Sequence, residues 1–261
     1  MLLAIDVGNS QIVVGLYDPA GDRSSADGGL IGPWRLSTSG DRTDDEFGVI
    51  IGGLLDTAGS SWDAINGVVL SSGVAQITTT LRRMVARRLD IEPVVVGPGA
   101  KSGLAIRYET REVGPDRIAN GAAAFDLYGG PSIVVDLGTA TTVDAVSGDG
   151  AYLGGSISPG VEIAMAALVD KAAALHTVEL IEPDETIGRS TASAIRSGVL
   201  YGHAGLIDGL VGRFQAELGD AVVIATGGLA DLIAPHSATI TDLEPWLTLH
   251  GLRLIWHRNN S

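Results

Sequence analysis

The chain has 261 residues, 45% of them apolar, enough for one large domain or two small ones. Its net charge of −14 argues against a nucleic-acid groove, because a polyanion would be repelled rather than steered in. The absence of cysteine excludes disulfides, thiolate zinc sites, iron–sulfur clusters and a cysteine nucleophile together. Taken in chain order, Leu2 to Asp6 reads as a short buried strand and Gln11 to Tyr17 as its return. Trp34 to Thr38 follows as a third strand, after a Gly/Asp-rich turn from Asp18 to Gly29. Thr43-Asp-Asp-Glu46 has the form of a capping box, in which hydroxyl and carboxylate each satisfy an orphan amide, and starts a helix to about Thr57. Ile65 to Ser71 and Pro93 to Val96 are β-branched strands on either side of a helix over 77–89. Gly114-Pro-Asp116-Arg117 precedes a helix over 118–128.

The second half repeats the order. Ser132 to Asp136, Thr141 to Ser147 and Ala151 to Ile157 are expected strands. Helices follow over 161–174 and 191–218, then a strand over 221–225, a Thr226-Gly-Gly228 turn into a short helix, and a closing helix over 246–256. Three antiparallel strands and then alternating helix and strand, given twice, predict an α/β fold of two duplicated lobes. Each lobe is a mixed sheet flanked by helices, with residues 1–112 in one and 113–261 in the other. The start of the chain has no basic n-region, and no apolar run approaches the roughly 18 residues of a membrane helix. The expectation is a cytoplasmic protein without membrane contact.

The duplication carries the chemistry. Asp6-Val-Gly8-Asn9-Ser10 and Asp136-Leu-Gly138-Thr139 each place a carboxylate at the end of a buried strand. The glycine lets backbone amides approach a phosphate oxygen, and the polar residue after it adds a donor. One such turn is ordinarily only a turn. Two at matching positions suggest a nucleotide held in a cleft between two halves, with a carboxylate able to hold Mg²⁺ directly or through water.

A second pattern lies on the helix over 191–218. Gly198, Gly202, Gly205, Gly209 and Gly212 share one face, and each costs a helix interior about 1 kcal/mol against alanine. The stripe needs a close-packed neighbour, either within the subunit or across a dimer. Other signals are weak. Gly97-Pro-Gly99-Ala-Lys101-Ser102 has the wrong spacing for a Walker loop, and the five histidines show no ligand spacing.

The segments LLAIDVGNS, EVGPDRIAN, IVVDLGTATTVDAVS, YLGGSISPGVEI, TIGRST, SGVLYGHAGLIDGLV, IATGGLA and LTLHGLRLIWHRN together resemble the type III pantothenate kinases over nearly the full length. These belong to the acetate and sugar kinase, heat-shock ATPase and actin superfamily. The resemblance implies ATP-dependent phosphorylation of pantothenate in a homodimer. It implies an ATP phosphate loop at Asp6, Val7, Gly8, Asn9, Ser10, Gln11, Ile12 and Val13, with Asp6 near Mg²⁺ and Thr139 a further ATP contact. It implies a pantothenate segment at Gly114, Pro115, Asp116 and Arg117 with Asp116 as catalytic base, and further contacts at Thr191 and Tyr108. Asp136 corresponds to the ligand of a monovalent cation, K⁺ or NH₄⁺. Four departures stand beside these matches. Ser10 stands for a usual Thr, Pro115 for Ala, Arg189-Ser190 for Lys-Asn, and Tyr108-Glu-Thr-Arg111 for a longer Tyr-Asp-Asn-Pro-Arg. Two rival readings share the acidic turns: another small-molecule kinase of the superfamily, and a nucleotide-binding paralogue with a regulatory role.

Overall fold

The computed structural model describes residues 1–22, 24–97, 99–109, 112–172 and 176–260. Positions 110 and 111 of the Tyr108 loop, position 98 of the Walker-like run and positions 173–174 of the helix expected over 161–174 therefore lie outside the described residues. The chain falls into two compact units, Met1–Leu127 with the C-terminal residues from Trp246, and Tyr128–Pro245.

The first unit is built on β1 (Leu2–Val7), β2 (Gln11–Tyr17), β3 (Leu30–Ser37), α1 (Asp44–Thr57), β4 (Gly67–Ser72), α2 (Ala75–Leu89), β5 (Val94–Val95), a two-residue β6 (Ala105–Ile106) and α3 (Pro115–Tyr128). Five strands pair in the order β3-β2-β1-β4-β5, antiparallel through the hairpins and parallel from β1 to β4 and β5. Alternation in β1 decides which side chains go where. Leu3, Ile5 and Val7 join Phe47, Ile51, Ile77 and Leu81 in one buried cluster beneath α1 and α2. Leu2, Ala4 and Asp6 point to the other face. The capping box at Thr43 forms as the sequence indicates, the hydroxyl accepting from the Glu46 amide and the Glu46 carboxylate from the Thr43 amide.

In the second unit, β7 (Ser132–Leu137), β8 (Ala140–Val146), β9 (Ala151–Pro159), α4 (Val161–Lys171), α5 (Thr191–Leu218), β10 (Val222–Thr226), α6 (Ala230–Ile233) and β11 (Asp242–Leu243) repeat the plan. The unit's own five strands run β9-β8-β7-β10-β11, the same path as in the first unit. Ile133, Val135, Leu137 and Val143 bury against Val199, Leu200, Ile207 and Val211 of α5. Asp136 alternates to the opposite face.

The division into units differs from the expected 1–112 and 113–261, because the C-terminal helix α7 (Leu247–Asn259) packs on β1 and β4 of the first unit. Its Leu249 side chain lies 2.8 Å from where a Cβ on Gly15 would stand, and Trp256 covers Gly67. Helix α3 follows it: Gly251 abuts the backbone of Ala119 so closely that no side chain fits, and Thr248 Oγ1 donates to Asn120 Oδ1 at 2.7 Å. These contacts cover the sheet face that carries Asp6.

A buried polar pair beneath α7 gives this unit a pH dependence. Arg253 Nη2 lies 2.8 Å from His250 Nδ1; a guanidinium only donates, so Nδ1 carries no proton and Nε2 faces Asp126 Oδ2 at 3.3 Å. Burial first, then the Arg253 charge, hold the His250 pKa below its ordinary 6.5, against the pull of Asp126; Arg258 adds to the depression. The folded chain thus binds a proton here less readily than the unfolded chain. The contribution is complete above pH 6.5 and is lost as pH falls below that value toward the folded pKa. Thermal melts between pH 7 and pH 5 should show a falling midpoint whose slope is shallower in His250→Asn, which keeps an acceptor for Arg253 and does not titrate. An unchanged slope would assign the acid sensitivity elsewhere.

Candidate active site

The two acidic turns are built alike. In the first, Gly8 N–H donates to Gln11 O at 2.9 Å, closing a three-residue loop between β1 and β2. In the second, Gly138 N–H donates to Ala140 O at 3.1 Å across a two-residue loop. Asp6 and Asp136 are both half-buried at the ends of their strands, with the next loop residues opening to solvent.

Register sets each carboxylate's neighbours. Asp6 stands opposite Val13 on β2 and beside Ser71 on β4. Asp136 stands opposite Thr142 on β8 and beside Thr226 on β10. Each acidic turn thus has a buried hydroxyl on the parallel strand next to it. The Ser71 hydroxyl is buried without a hydrogen-bond partner, a cost that a bound ligand or water would relieve. In the sequence, the signal is a small hydroxyl residue before glycine at the end of both fourth strands: Ser71-Ser-Gly73 and Thr226-Gly-Gly228.

Further residues that sequence reasoning did not assign hold the turns in shape. Thr38, just past β3, donates its amide to Ser10 O at 3.0 Å and its hydroxyl to Gly8 O at 2.7 Å. Gly160, just past β9, donates its amide to Thr139 O at 3.2 Å and lies so close to the Gly138 and Thr139 carbonyls that a Cβ would collide with both. Gly227, at φ 96°, has a backbone that L side chains rarely adopt; a Cβ there would sit 2.6 Å from Asp136 Oδ1. Asp136, Thr139, Gly160 and Gly227 therefore form one cradle in the second unit. Helix α4 starts at it with Gly160 as N-cap, so the positive end of the helix lies at the cradle.

Pro115 to Arg117 form the start of α3 rather than a loop before it, three residues earlier than the expected helix over 118–128. Pro115 occupies the first helical position. There its missing N–H costs no helical bond and its fixed φ suits the helix, so this departure from the family pattern is compatible with the fold. Asp116 Oδ1 accepts from the Arg117 amide at 2.9 Å and lies 2.4 Å from where a Cβ on residue 114 would stand, so a larger residue there would push the carboxylate from its place. Arg117 is buried, at 7% exposure. Thr191 is the exposed first residue of α5, preceded by Ser190 as N-cap in a capping box with Ser193. Ser and Asn are equally good caps, so the Ser190 departure keeps the helix start. Tyr108 is 41% exposed in the first unit.

Among the described residues, no three His, Cys, Asp or Glu side chains gather as a self-sufficient metal site, and no helix is long and apolar enough to cross a membrane. Single carboxylates beside glycine turns suit a Mg²⁺ that takes most of its ligands from phosphate and water. The Asp136 cradle likewise fits a cation held by one carboxylate and neighbouring oxygens.

A duplicated β3-β2-β1-β4-β5 sheet with an acidic hairpin turn in each copy defines the actin-like fold of the acetate and sugar kinases. Solved structures agree at the level of fold. A ROK-family glucokinase from Streptomyces griseus, in complex with glucose and AMPPNP, matches with a TM-score of 0.54 at 10% identity, over 97% of this chain and 98% of its own. The activator of 2-hydroxyisocaproyl-CoA dehydratase from Clostridium difficile, with bound ADPNP, matches at 0.54 and 10%, over 99% and 94%. Residues 2–213 match the sequence profile of the type III pantothenate kinases. A type III pantothenate kinase of Moorella thermoacetica is 48% identical over 261 residues, covering 99% of this chain and 100% of that one. Another, from Geobacter sulfurreducens, is 47% identical over 263 residues and the full length of both. The chain belongs to the type III pantothenate kinase family.

Proposed function

We propose that the protein transfers the γ-phosphoryl group of ATP to the primary hydroxyl of pantothenate, giving 4′-phosphopantothenate in the first step of coenzyme A biosynthesis. The observation that carries this reading is the family match over residues 2–213, with relatives near half identity across the whole chain. In the transfer, an oxygen–phosphorus bond forms at the pantothenate hydroxyl and the bond from the γ-phosphorus to the β,γ-bridging oxygen breaks. The hydroxyl proton passes to Asp116. Such a reaction needs positioning and charge neutralisation more than covalent help.

The turn from Asp6 to Val13 serves as the ATP phosphate loop, and Thr139, in the turn after Asp136, is a further ATP contact. What supports this is that each turn opens to solvent beside a half-buried carboxylate at the end of a buried strand. Mg²⁺ near Asp6 and a monovalent cation, K⁺ or NH₄⁺, at Asp136 supply positive charge against the phosphates. Gly114, Pro115 and Asp116 at the start of α3, with Thr191 and Tyr108, receive pantothenate, and Arg117 pairs with its carboxylate.

The protein works as a homodimer through α5. An added Cβ at Gly198, Gly202, Gly205 or Gly212 would meet nothing within 4 Å and one at Gly209 only Arg213 Nη1 of the same helix at 3.6 Å, so among the described residues the stripe packs on no other element of its own chain. The opposite face of the helix is buried, and Ile157, Ile163, Leu168 and Ile187 of the same unit are exposed apolar residues. A second copy of the chain is the partner that would cover such a face.

An ADP-release assay with MgATP and a potassium salt tests the acceptor. ADP should appear with pantothenate and stay at background with hexoses or short carboxylic acids. Preferential turnover of a sugar would make the protein another kinase of the superfamily. Nucleotide binding without transfer to any acceptor would make it a regulatory paralogue.

A further inference from the structure

We infer that His203 is a positioning residue for the second phosphate turn, acting through the Pro159–Gly160 peptide. His203 is the one polar side chain among the buried residues of α5, in a row with Ile195, Val199, Leu200, Ala204, Ile207 and Val211. A buried imidazole in an apolar row is costly unless its nitrogens are matched. Here both are. Nδ1 lies 3.2 Å from the carbonyl oxygen of Val199 in its own helix, and Nε2 lies 3.3 Å from the carbonyl oxygen of Pro159, at the end of β9.

The Pro159 carbonyl and the Gly160 amide belong to one planar peptide group. Its oxygen faces His203, and its N–H donates to the Thr139 carbonyl at 3.2 Å. The Val199 carbonyl already accepts within its own helix, so we place the ring's one proton on Nε2, where it completes a chain of hydrogen bonds, imidazole to peptide to turn, whose members polarise one another. The chain fixes the plane of the peptide against which Gly138 and Thr139 are packed, with no room for a Cβ at Gly160 to take up slack. The first unit solves the same problem differently. Thr38, just past β3, holds Gly8 and Ser10 through its own hydroxyl and amide. Pro159–Gly160 brings no side-chain donor, and a helix two elements further along supplies the grip instead.

The inference rests on the reading that the turn after Asp136 touches the nucleotide. A turn held less firmly binds phosphate less well and leaves the acceptor side unchanged. His203→Gln keeps an N–H donor at the place of Nε2, whereas His203→Asn puts its amide at the place of Nδ1 and His203→Leu removes both. With MgATP as the titrated ligand in a potassium salt and no pantothenate present, His203→Leu and His203→Asn should each raise the dissociation constant about five- to tenfold, the scale of one lost hydrogen bond. His203→Gln should stay within about twofold of the parent, and the KM for pantothenate should be constant across the series. Thr139→Val is measured alongside. If Thr139→Val weakens ATP binding and the Gln and Asn variants behave alike, His203 is a packing residue and the inference fails. If Thr139→Val leaves ATP binding unchanged, the nucleotide reading of this turn fails instead. Should the Leu variant not fold, the contrast between Gln and Asn still decides.

Discussion

Asp116→Asn is expected to bind MgATP as the parent does and to lose turnover by about 10²- to 10⁴-fold, the usual contribution of a positioned general base. The substitution isolates one property. Asn keeps the shape of the side chain and an oxygen that can accept from the Arg117 amide, as Asp116 Oδ1 does now at 2.9 Å. It also still clears the missing side chain at Gly114. Asn cannot take a proton from a hydroxyl at neutral pH. The start of α3 should therefore survive while the chemical step does not, and rate and nucleotide affinity should separate. ADP release at saturating pantothenate and a direct ATP titration make the comparison. Turnover at the parent rate would remove Asp116 from the mechanism.

Gly205→Leu is expected to weaken the dimer by about ten- to hundredfold in dissociation constant, the range set by overpacking a close interface. Gly205→Ala supplies the opposite-sign control. In a solvent-facing helix position, alanine stabilises against glycine by about 1 kcal/mol, and a Cβ at Gly205 meets nothing within its own chain. If the stripe faced water, Gly205→Ala would raise the melting temperature and leave the oligomer unchanged. If it faces a second α5, the same methyl group pushes two backbones apart and the dimer loosens. Sedimentation over a concentration series, read beside thermal unfolding, separates the two. A monomeric parent protein would end the dimer proposal outright.

Much of the fold was legible because local chemistry and tertiary structure agree. The bounds of α5, Thr191–Leu218, follow from a serine cap at one end and Gly219 at the other. The capping box at Thr43 fixes α1 in the same way. The duplicated strand order shows in two apolar runs each broken by Asp-x-Gly. What was not legible depends on neighbours remote in sequence. Strand β3 begins at Leu30, upstream of the expected Trp34, because Leu30 and Ile31 pair with Tyr17 and Leu16 of β2. Helix α3 absorbs Pro-Asp-Arg after Gly114, a run that reads as a loop unless proline is recognised at a first helical position. No sequence pattern assigns α7 to the first unit; that follows from Leu249 on Gly15 and Gly251 on Ala119.

In the candidate site, the two aspartates stand out by repetition, while their supports do not. Ser71 and Thr226 become neighbours of the carboxylates only through parallel register. Thr38, Gly160 and Gly227 act through backbone contacts that no residue type announces. His203 looks like one more uncommitted histidine until the carbonyl of Pro159 is found at its Nε2.

The most direct measurement is a crystal structure of the protein grown with a non-hydrolysable ATP analogue, pantothenate, Mg²⁺ and a potassium salt. The account predicts one triphosphate per chain, contacted both by amides of the Gly8–Gln11 turn and by the Gly138–Thr139 turn, with the pantothenate hydroxyl beside Asp116. A nucleotide contacted by only one of the two turns, or an acceptor bound away from the start of α3, would contradict it.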